Sequence, residues 1–245
     1  MLRNRVIPAL LLDYDKLVKG KNFKNHKYVG DPINTVRIFN SKKADELLVY
    51  DIDQKNGINF DLLEKISNEC RMPLIYGGKI KTVEDSITLM SLGIEKLSFN
   101  VEMIKNKNLL EKISSKIGNQ SVAITLEIKK SVIGNYNIYT NSGKRKITTL
   151  NKFLKDIKLD HVGELFINDI SREGTRLGYD LKLLNFFSEK ISIPISINGG
   201  AGSINDFKNV IENFNNVGVC SGTLFTFQEP HNAVLITYPK NSIYE

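Results

Sequence analysis

Short apolar runs alternate with helical segments along the whole sequence, and this alternation limits the folds open to the chain more than any other feature. The first run, RVIPALLL at 5–12, is almost entirely apolar, as expected of a strand buried on both faces. Seven more strand-like runs follow at a spacing of roughly thirty residues, with helices predicted between them. They lie at 46–52, 73–76, 96–99, 122–128, 164–170, 194–197 and 216–220. Eight such units in 245 residues predict a (β/α)8 TIM barrel rather than an open doubly wound sheet.

One stretch of the sequence occurs twice. Residues 72–85 read MPLIYGGKIKTVED and residues 193–206 read IPISINGGAGSIND, so a shift of 121 positions superposes Gly78 on Gly199. The repeat predicts a single domain over 1–245, made of half-barrels at about 1–120 and 121–227 and an atypical tail at 228–245. In each copy a strand, two glycines and a helix start follow one another. That order lets backbone N–H groups approach an anion at the positive end of a helix, although glycines that serve only close packing give the same pattern.

Composition excludes several classes of function. The formal net charge is +7, but the lysines are scattered and form no basic helix face interleaved with aromatic residues, so no nucleic-acid partner is expected. The two cysteines (Cys70 and Cys220) and the three separated histidines give neither a disulfide framework nor a zinc pattern, so no metal site is expected. The sequence contains no signal peptide and no apolar run long enough to cross a bilayer. It therefore predicts a cytoplasmic protein without a membrane partner.

The chemistry of a TIM barrel is expected at the carboxyl ends of its strands. Four acids fall there, namely Asp13, Asp51, Glu127 and Asp169, and they are candidates for general acid or base catalysis. Hydrogen bonding to a nearby loop is the alternative role for each of them. The two Gly-Gly turns, on opposite sides of the same mouth, could hold two phosphates of one elongated ligand. The polar, lysine-rich stretch at 13–31 is long for a simple connection, which is typical of a lid or binding loop.

Several segments resemble one family over most of the chain. MLRNRVIPALLL, VKGKNF, VGDP, ADEL, YGGKI, EKLSFN, REGT, GYD and INGGAG stand in the order found in the cyclase subunit of imidazole glycerol phosphate synthase, HisF. The resemblance implies a (β/α)8 barrel of the ribulose-phosphate-binding type that needs no cofactor. It also implies a lyase that adds ammonia to a small phosphorylated substrate, a bisphosphate ribonucleotide. The ammonia would come from a HisH-type glutaminase at the N-terminal barrel face and would cross the barrel along its axis.

The resemblance assigns roles to particular residues. A ring of charges that gates ammonia at the barrel bottom falls on Arg5, Glu46, Lys96 and Glu164, and an ordinary salt-bridge plug is the alternative reading of that ring. The phosphate and substrate site falls on Lys19, Gly78, Lys79, Asn100, Glu173, Gly174, Gly199, Gly200, Gly222 and Thr223. In the first half, Lys79 replaces a glycine and Val101 a threonine. The Lys79 side chain could bind an anion or fill the pocket.

The catalytic pair departs from the family. Its two essential aspartates fall on Leu11 and Glu127; leucine cannot exchange a proton, and glutamate reaches about 1 Å further. Asp13 and Asp51 are the remaining acidic candidates. Pro8-Ala-Leu-Leu-Leu and the AVLITYP tail resemble a HisF-related branch that acts with a glutaminase and a separate amidotransferase in acetamidino-sugar synthesis for surface polysaccharides or flagellin glycans. Three functions stay open: ammonia handling in such a pathway, histidine-pathway cyclisation, and a non-catalytic scaffold that activates the glutaminase.

Overall fold

Eight parallel strands form a closed barrel, as the alternation predicted. The computed structural model describes residues 3–228 and 231–239 of the chain. The barrel strands are β1 (Arg5–Asp13), β2 (Leu47–Asp51), β3 (Leu74–Gly77), β4 (Lys96–Asn100), β5 (Val122–Lys130), β6 (Glu164–Asp169), β7 (Ile195–Asn198) and β8 (Val217–Ser221). Each strand pairs with the next, and β8 closes the ring on β1 with Arg5 opposite Gly218. The (β/α)8 fold is therefore confirmed.

Within the described residues, eight α-helices follow the strands. They are α1 (Pro32–Ser41), α2 (Phe60–Glu69), α3 (Val83–Ser91), α4 (Lys107–Ile117), α5 (Leu150–Asp156), α6 (Leu181–Ser188), α7 (Ile204–Asn213) and the single turn α8 (Thr223–Thr226). The segment between β4 and β5 holds two helical elements, a 3-10 helix at Val101–Lys105 and then α4, because the side chain of Asn106 caps α4 by accepting from the N–H of Leu109. None of the helices in the described ranges combines the length and apolar content that a membrane crossing needs.

Side chains inside the barrel lie in layers, since every second residue of a strand points to the axis. Along β1 these residues are Arg5 at the bottom, Ile7 and Ala9 in the middle and Leu11 at the mouth. The same parity on the other strands builds an apolar middle layer of buried side chains. Its members are Ile7, Ala9, Leu48, Ile75, Ala123, Phe166 and Cys220.

The stretch at 13–31, which the sequence suggested was a loop, is largely a β-hairpin, here called the first hairpin. Its strands Lys16–Lys21 and Lys24–Gly30 pair antiparallel, and the first of them extends the barrel sheet by pairing with the end of β1. Buried Leu17 and Val29 anchor it. The central hairpin, Tyr136–Thr140 with Arg145–Thr149, is present as predicted and pairs with β5.

The atypical tail closes the side of the barrel next to α1. After α8, the backbone N–H of Thr237 donates to the carbonyl of Phe225, and the Tyr238 hydroxyl donates to the carbonyl of Val6 at 3.1 Å. The Tyr238 ring is 2% exposed and stacks on Phe225, with 5.3 Å between ring centroids. Part of the predicted tail, residues 229–230 and 240–245, lies outside the described residues.

Candidate functional site

A cavity of about 880 Å³ opens at the carboxyl ends of the strands. The first hairpin, the central hairpin and the loop after β2 form its walls. The predicted site residues that line it are Asp13, Asp51, Gly78, Lys79, Asn100 and Glu127, together with Leu11. The structure thus brings three of the four acidic candidates for catalysis, Asp13, Asp51 and Glu127, to one mouth, whereas Asp169 does not line this cavity. They share it with the turn of the first half-barrel.

Lys79 forms the centre of an ion cluster in the first half of the mouth. Its ammonium lies 2.9 Å from Asp51 Oδ2 and 3.4 Å from Asp53 Oδ2, and it also donates to the carbonyl of Gly57 at 3.0 Å. The Tyr76 hydroxyl donates to Asp51 at 3.0 Å. Burial raises the pKa of Asp51 above its ordinary value, although the Lys79 ammonium opposes that rise. Asp51 is therefore a buried acid whose two oxygens are already engaged, Oδ1 by the backbone N–H of Asp53 and Oδ2 by Lys79 and Tyr76.

Glu127 is held by the central hairpin. Its Oε2 accepts from the backbone N–H of Gly143 at 2.7 Å, and burial raises the pKa of the carboxyl above its ordinary value. Asp13 is exposed at the outer end of β1. Leu11, which also lines the cavity, offers only a hydrocarbon surface. Glu127 is therefore a cavity-lining carboxyl whose position is fixed by the central hairpin.

The predicted residues of the second half do not line this cavity, and the first hairpin packs over Glu173, Gly174 and Gly222 among them. Lys19 is 6% exposed, forms an ion pair with Glu173, and its stem packs directly over the Cα of Gly222. Burial lowers the pKa of Lys19 to about 8, which leaves the amine largely protonated at pH 7. The backbone N–H of Asn22 donates to the carbonyl of Glu173 at 3.1 Å. The predicted residues of this group that do not line the cavity are Lys19, Glu173, Gly174, Gly199, Gly200, Gly222 and Thr223.

The helices behind the two Gly-Gly turns are capped by carboxylates of the protein itself. Asp206 accepts from the backbone N–H of Gly202 at 2.9 Å and of Ser203 at 2.8 Å at the start of α7. Asp85 accepts in the same way from Lys81 and Thr82 at the start of α3. Each helix thus starts with a capping box, and a carboxylate of the protein lies at its positive end.

The four charged residues predicted for the gate meet at the amino ends of the strands. The Arg5 guanidinium lies 3.0 Å from Glu46 and 2.9 Å from Glu164, and Lys96 also pairs with Glu164. Glu164 is 1% exposed and accepts a further hydrogen bond from the Ser196 hydroxyl. Burial acts to raise the pKa of Glu164, but Arg5 and Lys96 outweigh it and hold that pKa below its ordinary value. The ring is therefore a paired network rather than isolated charges.

Between the ring and the mouth, the axis is apolar and is then crossed by a tyrosine. The Tyr50 hydroxyl lies 2.8 Å from Thr125 Oγ1, which also lies 2.6 Å from the Ser98 hydroxyl. Gly77 makes room for the ring, since a Cβ there would lie 2.9 Å from Tyr50 carbons. Tyr50 thus separates the apolar middle layer from the cavity.

Sequence reasoning missed Asp53, Tyr76 and Tyr50. Asp53 stands two residues after Asp51, and its pKa is lowered to about 2 by hydrogen bonds from the Lys55 N–H and the Asn56 amide. Strand parity would have identified Tyr50, which follows Glu46 and Leu48 in steps of two. Nothing local in the sequence indicates the hydrogen bond from Tyr76 to Asp51.

Fold and site together define an α/β barrel with a charged ring at one end and an acid-lined mouth at the other. The family described as "Histidine biosynthesis protein" matches residues 5–230. A Leptospira interrogans protein named "Putative imidazole glycerol phosphate synthase subunit HisF" is 40% identical over 98% of this chain and 96% of its own length. The Alkaliphilus metalliredigens "Imidazole glycerol phosphate synthase subunit HisF" is 32% identical over 100% of this chain and 97% of its own. The chain therefore belongs to the HisF family of histidine biosynthesis proteins.

Proposed function

We propose that this chain is an ammonia-handling barrel subunit that works in the cytoplasm with a HisH-type glutaminase docked at its N-terminal face. It delivers ammonia to a phosphorylated or sugar-type substrate, in a pathway of acetamidino-sugar synthesis that includes a separate amidotransferase. The observation that carries the proposal is a contrast between the two ends of the barrel. The charged ring at the bottom has every predicted member in contact, while the mouth has leucine in place of one of the two family acids.

The barrel axis supports passage of a small neutral molecule. Ammonia crosses an apolar layer more readily than ammonium does, because burying an unpaired charge is costly. The layer above the ring is made of aliphatic side chains, Phe166 and Cys220. A funnel of about 490 Å³ on the N-terminal face is lined by Glu46 and Lys96 and leads to the ring. A glutaminase seated there would release ammonia directly onto the gate.

The mouth supports a diverted rather than a histidine-pathway reaction. Cyclisation of the family's substrate uses two aspartates as acid and base, and Leu11 supplies neither function. Histidine-pathway cyclisation is the second candidate, and the names of the relatives favour it. In that case Glu127 with Asp51 or Asp13 would have to carry both proton transfers. A non-catalytic scaffold that activates the glutaminase is the third.

Complementation of a histidine auxotroph that lacks its cyclase separates the first two candidates. We expect no growth on minimal medium from the wild-type gene when the protein is expressed and folded. Growth would refute the diverted function. Leu11→Asp is the matched variant, because it returns a carboxyl group to the mouth at the same position.

The gate is tested with the glutaminase present. Lys96→Ala should change the ratio of ammonia transferred to glutamine hydrolysed, because it removes one cation from the ring. Lys65→Ala is the control, since Lys65 is an exposed lysine on α2. An unchanged ratio in Lys96→Ala would argue against transfer through the barrel and favour the scaffold.

A further inference from the structure

The two Gly-Gly turns share a crowded glycine but differ at the residue that follows it. A Cβ on Gly78 would lie 2.3 Å from the carbonyl of Asp51, and a Cβ on Gly199 would lie 2.4 Å from the carbonyl of Asp169. The next residue is Lys79 in the first half and Gly200 in the second, with φ of +61° and +110°. Glycine is the inexpensive residue in such a conformation. A lysine kept there at a cost in backbone strain points to a role for its side chain.

The Lys79 ammonium has no donor left over for a ligand. An ammonium carries three N–H groups, and three acceptors surround this one: Asp51 Oδ2, Asp53 Oδ2 and the carbonyl of Gly57. The side chain is 13% exposed, and those of Asp51 and Asp53 are 2% and 5% exposed. One ammonium with two carboxylates leaves a net charge of −1 at the turn. A phosphate dianion placed there would meet repulsion and would find no free donor on Lys79.

The rest of the cavity has the same sign. Its lining carries five carboxylates (Asp13, Asp51, Asp53, Asp85 and Glu127) and three ammonium groups (Lys79, Lys81 and Lys144). The Oδ1 of Asn100 is already used within the protein, since it accepts from the Glu102 N–H and from the Thr140 hydroxyl. Val101 brings no hydroxyl. Carboxylates and carbonyls in this arrangement accept hydrogen bonds from hydroxyl or amino groups.

We propose that Lys79 closes the phosphate site of the first half-barrel, so that the end of the substrate lying against the Lys79–Asp51–Asp53 cluster carries hydroxyl or amino groups and no phosphate. A ligand of this barrel then has at most one phosphate, held by the second half. The proposal relies on the proposed function for the presence of a substrate in the mouth. It makes Lys79 a specificity-determining residue that excludes bisphosphates.

The test uses inorganic phosphate as the probe and backbone amide NMR shifts as the readout, without glutaminase or ammonia. In the wild-type protein, phosphate should leave the amides of Gly78, Lys79 and Ile80 unshifted. In the double variant Lys79→Gly/Asp53→Asn, the shifts of these amides should change and then saturate as phosphate is added. Phosphate should bind at least about tenfold more tightly than in the wild type, because charge-assisted hydrogen bonds to the turn become available. Glycine suits the backbone at position 79 and asparagine keeps an acceptor at 53, so the fold should be retained. Lys81→Gly is the control for loss of a charge on the same loop and should behave as the wild type.

Two results would overturn the proposal. One is a saturable shift of these amides in the wild type that Lys79→Met removes, since the ammonium would then be a phosphate ligand. The other is a double variant whose turn still binds no phosphate, because Lys79 would then not be what excludes it. Neither result bears on ammonia transfer. The Lys96→Ala experiment can fail or succeed independently.

Discussion

Replacement of Glu164 by glutamine is expected to be the most destabilising single change in the charged ring. Glutamine keeps the shape of the side chain but removes the charge that faces Arg5 and Lys96. Removing one partner of a buried pair costs about 3 to 5 kcal/mol, because the remaining charges are left without compensation. The Arg5 and Lys96 side chains are 12% and 18% exposed, and Arg5 keeps Glu46, so the lower end of about 3 kcal/mol applies.

Urea unfolding at neutral pH measures this free energy, and a thermal scan provides a second readout. For a chain of this size about 3 kcal/mol corresponds to a fall in Tm of roughly 6 to 12 °C. Glu46→Gln is the matched control. The Glu46 side chain is 14% exposed and forms an ion pair with Arg5. Its replacement by glutamine should therefore lower the free energy of unfolding by about 1 kcal/mol. A loss in Glu164→Gln no larger than that in Glu46→Gln would refute the reasoning.

The same variant makes a prediction about pH. Because the pKa of Glu164 is held below its ordinary value of 4.5, the unfolded chain takes up a proton at this residue before the folded chain does. The stability that Glu164 contributes is therefore complete above pH 4.5 and is lost as the pH falls further. The difference between wild type and Glu164→Gln should shrink below pH 4.5. A difference that stays constant there would mean that the ionised carboxylate is not its source.

Three further changes test other parts of the structure. Burial and the nearby Asp180 raise the pKa of Asp169 from 3.8 to about 6, so ionising this carboxyl costs the folded state free energy. Asp169→Asn should therefore be more stable than the wild type by up to about 3 kcal/mol at pH 7, with no such gain near pH 4. Urea unfolding at both pH values measures the difference. Lys19→Met removes the ion pair with Glu173 and should speed chymotryptic cleavage at exposed Tyr28 roughly tenfold. Lys16→Met, on the same hairpin, should leave the cleavage rate unchanged. Equal cleavage rates in the two variants would contradict a hairpin held in place by Lys19. Tyr50→Leu should increase glutaminase-dependent ammonia transfer more than Tyr50→Phe does, because phenylalanine keeps an aromatic ring across the barrel axis. Equal effects of the two variants would mean that the tyrosine hydroxyl, and not the ring, is the barrier to ammonia.

The barrel and its interior layers follow from the sequence because they depend on two periodicities that local residues carry. Strand and helix alternate along the chain, and parity within a strand decides which side chains face the axis. Arg5 and Glu164 begin their strands with inward parity, so a ring at the amino ends is a direct consequence. Glu127 reaches the mouth by the same rule, in step with Ala123 and Thr125, whereas Asp51 has the opposite parity from Tyr50 and lines the mouth from the end of β2.

The state of the predicted anion sites did not follow, because it depends on where long side chains go. Lys79 has several rotatable bonds, and only the position of Asp53 shows that its ammonium turns inward. Lys19 reaches Glu173 because the first hairpin folds over the second half, a contact between residues 154 positions apart. From the sequence, Asp85 and Asp206 could be acids near a phosphate or helix caps. Their hydrogen bonds from the backbone N–H groups of Thr82 and Ser203 show that they cap helices.

The tail that ties Tyr238 to the carbonyl of Val6 has a consequence for the order of folding. The edge of β1 from Arg5 to Pro8 can pair with β8 only after residues 217–221 have left the ribosome. Until then the first strand made exposes a row of unpaired backbone groups and an apolar surface, which is a hazard for aggregation. Tyr238 adds its hydrogen bond to the Val6 carbonyl still later, together with its stacking on Phe225. The first strand of this barrel is thus the last to be completed, and nascent-chain length should control when the domain becomes resistant to protease.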